Sequence, residues 1–157
     1  MNGNVLVLGL GNTLLSDEGA GVHVIRYLQE QYPDLPGVEY LDGGTLSFTL
    51  SEPIENAAAL IVVDAAELGA EAGTVRSYEA RAMDEFVGSN RKRSVHEVSL
   101  LDLLAVAYLT ERLPERRALV GIQPAVVDWG DLPTPPVADA IPAAGRRILD
   151  IIEEWRQ

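Results

Sequence analysis

Val5-Leu6-Val7-Leu8-Gly9-Leu10-Gly11-Asn12 is the stretch on which the fold turns. Four apolar residues in succession, Val5 to Leu8, read as a strand buried on both faces. The glycines and Asn12 then turn the chain towards a helix that carries Val22, Ile25 and Leu28 at helical spacing. The opening is therefore a βα unit.

Working outward, Leu60-Ile61-Val62-Val63 is the clearest buried strand, continuous and β-branched as central parallel strands tend to be, and it ends on Asp64. Val38-Glu39-Tyr40-Leu41 reads as a strand stopped by Asp42-Gly43-Gly44, and Leu46 to Ser51 as a short helix. Thr74 to Tyr78 alternates apolar and polar positions, which suits an edge strand of either orientation. Ser94-Val95-His96-Glu97 has the spacing of a capping box ahead of a stripe of Leu101, Leu104, Ala105 and Tyr108, so a helix is expected to start there. Ala118 to Ile122 is the last strand. Beyond a Pro-rich loop, Val137, Ile141, Ile148, Ile151, Ile152 and Trp155 mark a C-terminal helix that Pro142 should kink or delay. Strands alternating with helices give an α/β fold with a mostly parallel sheet covered on both faces and ligands at the carboxyl ends of the strands.

The 157 residues suit one domain over 1–157, able to bury roughly 70% of the surface of the unfolded chain. Acids outnumber bases by 24 to 12, for a formal charge of −12, which argues against nucleic acid as a partner. Most of that charge reads as plain solubility. There is no cysteine, which removes disulfides, thiolate metal sites and cysteine nucleophiles. The apolar run at Val5 to Leu10 has no basic residue before it and ends in glycine, so it does not read as a signal peptide. Asp64 and Asp102 interrupt the apolar stretches before they reach membrane-spanning length. A soluble cytoplasmic protein is the expectation, and oligomeric state is not legible.

Gly9-Leu10-Gly11 invites a dinucleotide reading, but the third glycine of G-x-G-x-x-G would fall on Leu14. Asp17 and Glu18 also occupy the helix start where a phosphate would need to sit. Ser16 or Asp17 reads as a helix cap. Glu18 gains interest from Asp64, at the strand-end rim where such folds place their sites, although Asp64 also suits a turn. His96, placed in a first helical turn, would be held neutral there and able to ligate. Two carboxylates and an imidazole on three strand-to-helix connections make an open site for a divalent ion. His23 lies five residues past Glu18, about 140° around a helix, and reads as a helix-surface residue. No H-E-x-x-H or G-x-S-x-G is present.

The string from Val7 to Val22, VLGLGNTLLSDEGAGV, closely resembles the opening of the NiFe hydrogenase maturation endopeptidases, G-[IVL]-G-N-x-L-x-x-D-[DE]-x-x-G. The resemblance continues through Asp42-Gly43-Gly44-Thr45, Val63-Asp64-Ala65, Ser94-Val95-His96 and Gly121-Ile122-Gln123-Pro124, in order and over nearly the whole chain. It implies a three-layer αβα sandwich, phosphorylase/hydrolase-like, with about five strands. It also implies an endopeptidase that removes a C-terminal extension from the precursor large subunit of a NiFe hydrogenase once nickel is inserted. Glu18, Asp64 and His96 map to the metal-contacting residues. Asp64 and Glu18 are the candidate catalytic carboxylates, either of which would serve as general base unless the metal itself activates the water.

One imidazole and two carboxylates should hold nickel weakly, so the metal is expected to arrive with the substrate and not as a permanent cofactor. Asp42, Gly43, Gly44, Thr45 and Gln123 are the secondary, substrate-proximal candidates. The alternatives are a non-catalytic nickel-carrying chaperone and a receiver-like domain phosphorylated on Asp64, although no lysine follows the last strand.

Overall fold

The structure, a computed structural model, describes residues 3–89 and 98–157. Five strands form one sheet in the order β2-β1-β3-β5-β4: β1 Val5–Leu10, β2 Val38–Gly44, β3 Ala59–Ala65, β4 Val75–Glu79 and β5 Arg116–Ile122. Four strands run parallel, and β4 is an antiparallel edge strand paired with β5 from Val75↔Ile122 to Glu79↔Ala118. The expected edge strand thus acquires its direction, and the sheet is mixed.

The alternation of side chains along each strand divides the apolar residues between two cores. On one face Val5, Val7, Ile61, Val63, Val120 and Ile122 pack against α1 (Ala20–Gln31) and α5 (Pro135–Trp155). On the other, Leu6, Leu8, Leu10, Leu60, Val62 and Leu119 meet α2 (Ser51–Asn56), α3 (Arg81–Ser89) and α4 (Leu100–Leu109). Because β1 and β3 are covered on both sides, Val5–Leu8 and Ala59–Val63 are apolar at every successive position. Each large aliphatic side chain buried here contributes roughly 1.5–3 kcal/mol. A bidentate ion pair, Arg117 Nε to Asp84 Oδ1 at 2.9 Å and Nη2 to Oδ2 at 2.6 Å, ties α3 to β5.

Three details differ from the sequence expectations. The Ser94–Glu97 capping box lies outside the described residues, and α4 is capped instead by Ser99, whose Oγ accepts from Asp102 N while Asp102 returns a bond to Ser99 N. The buried face of α4 is Leu100, Leu103, Leu104 and Ala107, and Tyr108 stands 69% exposed. The helix is apolar nearly all round, so spacing alone admits either stripe. Pro142 does not delay α5, which starts at Pro135, where a missing N–H costs nothing, and runs through Pro142. Among the described residues no helix is long and apolar enough to cross a membrane.

Candidate functional site

The chain leaves β1 for β2 on one side and later returns to β3 on the other. The carboxyl ends of β1 and β3 therefore flank the switch point of the sheet, where open α/β folds hold their ligands. Residues 9–21 are shaped to fill that crevice. Gly11 has φ +131, and a Cβ there would collide with the carbonyl of Glu18. A Cβ on Gly21 would strike the carbonyls of Val63 and Leu10. The start of α1 thus rests directly on the ends of β1 and β3. Glu18, in the 3-10 turn Ser16–Gly19, is held beside β3, which ends at Asp64–Ala65. Both acids are half-buried. The turn that carries Glu18 therefore packs against the strand that ends at Asp64. His96 lies outside the described residues, and among those described no group of three or more His, Cys, Asp or Glu is arranged to hold a metal ion.

Asp17 is not a helix cap. The N-cap of α1 is Gly19, and it receives no side-chain bond. Asp17 is instead fully buried and accepts four hydrogen bonds: from Ala125 N at 2.8 Å, Val126 N at 3.0 Å, Thr134 N at 2.7 Å and Thr134 Oγ1 at 2.8 Å. Burial pushes its carboxyl up, but the donors outweigh burial and hold it below the ordinary carboxylate range. Ser16, in the left-handed region at φ 52, adds bonds to the same loop, from N to Gly130 O at 2.8 Å and from Oγ to Asp128 O at 2.9 Å. Consecutive acids are therefore placed differently, Asp17 buried and clamping the 125–134 loop while Glu18 is half-buried. No local signal distinguishes this clamp from a cap, because its partners lie more than 100 positions away.

The secondary candidates are all at the same end of the sheet. Gly44 ends β2 at φ 52, its carbonyl accepting from Gly11 N at 2.9 Å and its N–H donating to Asp42 Oδ1 at 2.9 Å. Gly43 leaves room for Leu8 and Leu10, and Asp42 and Thr45 are exposed. Gln123 is buried just beyond β5, its Oε1 accepting from Leu68 N at 2.6 Å and its Nε2 donating to Glu67 Oε2 at 3.1 Å. Its amide thus braces the loop that follows Asp64. His23 is half-buried and not a simple surface residue. Its Nε2 has no partner among the described residues, and burial, then Arg26, pushes its pKa down. Surface depressions around residues 48–57 contain none of the candidate residues.

The structure defines an α/β protein with a mixed five-stranded sheet covered by helices on both faces and acidic residues on the elements at its switch point. The hydrogenase maturation protease family model matches residues 22–151, and the chain belongs to that family. It is 36% identical to the hydrogenase expression/formation protein HupD of Rhizobium leguminosarum bv. viciae, over 96% of this chain and 75% of that one. It is 35% identical to the hydrogenase 2 maturation protease of Escherichia coli, over 96% and 91%. Among solved structures, the hydrogenase maturating endopeptidase HybD from E. coli superposes with a TM-score of 0.87 at 32% identity, covering 96% of this chain and 93% of that one. The chain is thus a hydrolase with a role in hydrogenase maturation.

Proposed function

We propose that this protein cleaves a C-terminal extension from the precursor of a NiFe hydrogenase large subunit, and that Glu18, Asp64 and His96 read the nickel that the precursor carries. The reading rests on the packing of the turn that carries Glu18 against the strand that ends at Asp64, in a chain of this family. The nickel belongs to the substrate. Hard oxygen donors and one imidazole suit a divalent ion whose remaining ligands come from the client. A filled client would place its scissile bond beside the two carboxylates. One of them takes the proton of an attacking water, the water oxygen adds to the carbonyl carbon, the C–N bond breaks, and the proton passes to the leaving amine.

The deciding experiment incubates nickel-loaded and nickel-free precursor with the wild-type protein and with Asp64→Asn, and reads the mass of the large subunit. Loss of the extension only from nickel-loaded precursor and only with wild type is expected. Equal cleavage in all four mixtures would sink the nickel-reading mechanism. An unchanged mass in all four, with nickel transferred, would make the protein a carrier.

A further inference from the structure

The clamp built by Ser16 and Asp17 carries an apolar surface. Leu14 is 58% exposed, Val126 43%, Val127 56%, Trp129 81% and Leu132 72%. Large apolar side chains exposed singly are ordinary, but a concentration on two joined loops marks an interaction site. The loops are joined by backbone as well as by the clamp, Gly130 N donating to Leu14 O at 2.9 Å and Ser16 N to Gly130 O at 2.8 Å. The surface is therefore preformed, which lowers the entropy cost of binding.

Its charge selects the occupant. Asp128 and Asp131 are exposed within the same loop, no basic residue occurs from 123 to 134, and Glu18 follows Asp17 directly. A second copy of this chain, with net charge −12, would bring like charges together across a symmetric contact. Anionic lipid is opposed in the same way. A polypeptide segment that pairs apolar side chains with Lys or Arg fits both features.

We infer that loop 124–134 together with Leu14 is the docking platform for such a basic, apolar segment of the protein substrate, seated while the scissile bond lies at Glu18 and Asp64. The inference rests on the protease reading above. Cleavage of nickel-loaded precursor is measured at varied substrate concentration for the wild type, Trp129→Ser combined with Leu132→Ser, Asp128→Asn combined with Asp131→Asn, and Leu109→Ser. Leu109 is 78% exposed at the end of α4 and serves as a matched control.

The apolar pair is expected to raise KM about tenfold or more with kcat little changed. The acid pair is expected to raise KM at low salt only. The control is expected to behave as wild type. A wild-type KM in the Trp129/Leu132 variant, while wild type cleaves, overturns the platform. So does a dimer in sedimentation that this variant disperses without changing KM. If wild type does not cleave at all, the protease reading fails by itself, and precursor binding then decides the platform: loss of binding in the variant supports it, and unchanged binding overturns it.

Discussion

Asp17 and Thr134, 117 positions apart, are joined twice, Thr134 N donating to Oδ1 at 2.7 Å and Thr134 Oγ1 to Oδ2 at 2.8 Å. The bond pair fixes the start of α5 and the far end of the platform loop to the turn that carries Glu18.

Removal of this carboxylate should therefore act on stability first. Asp17→Ala leaves buried N–H groups without an acceptor and is expected to cost about 2–4 kcal/mol in urea unfolding at pH 7. Because the folded pKa lies below the unfolded value of about 3.9, the contribution is complete above that pH and is lost as pH falls through the folded value. Unfolding free energies measured from pH 7 to pH 3 should show a steeper acid limb in wild type than in Asp17→Asn. Parallel limbs would refute the assignment.

At His23 the sign in protonation is the same, although here the folded state favours the neutral form. Burial and Arg26 depress its pKa, so the unfolded chain takes up a proton near pH ~6.5 that the folded chain resists. Stability is expected to decline as pH drops below that value until the folded ring also protonates. His23→Leu should flatten this part of the profile, read by thermal melts between pH 7.5 and pH 5.5.

Gly21→Ala sets helix propensity against space. Alanine is favoured within a helix by about 1 kcal/mol, yet its Cβ would meet the carbonyls of Val63 and Leu10, which belong to strands and cannot step aside. A net destabilisation of about 2 kcal/mol is expected by denaturant titration, with loss of cleavage as the turn holding Glu18 is displaced. A more stable variant would show that the helix start is not seated on the strand ends.

Glu18→Gln and Asp64→Asn keep side-chain size while removing charge. Each is expected to lower cleavage of nickel-loaded precursor about 100-fold or more, with the melting temperature close to wild type. A fall in melting temperature that accounts for the lost activity would reassign the residue to structure.

Strands β1, β3 and β5 were legible because burial on both faces leaves an unbroken apolar run. The direction of β4 was not, since alternation reports exposure and says nothing of how the chain enters the sheet. That Glu18 and Asp64 lie on neighbouring elements was legible because the topology of a βα opening brings strand ends together. The clamp of Asp17 was not, because an acid before a helix looks the same whether it caps the helix or reaches across the fold. The platform left one trace that local patterns do not use: Val126, Val127, Trp129 and Leu132 lie in a Pro- and Gly-punctuated loop with neither helical nor strand spacing, so no core was available to them.

Three of the four bonds to Asp17 come from main-chain N–H groups, at Ala125, Val126 and Thr134. Such a grip is blind to the side chains it holds. Positions 126, 127, 129 and 132 are therefore free to diverge, or to be exchanged wholesale by loop grafting, while the anchorage and the neighbouring carboxylates stay as they are. If the platform seats the client, client preference is an interchangeable tip, separable from the chemistry beneath it.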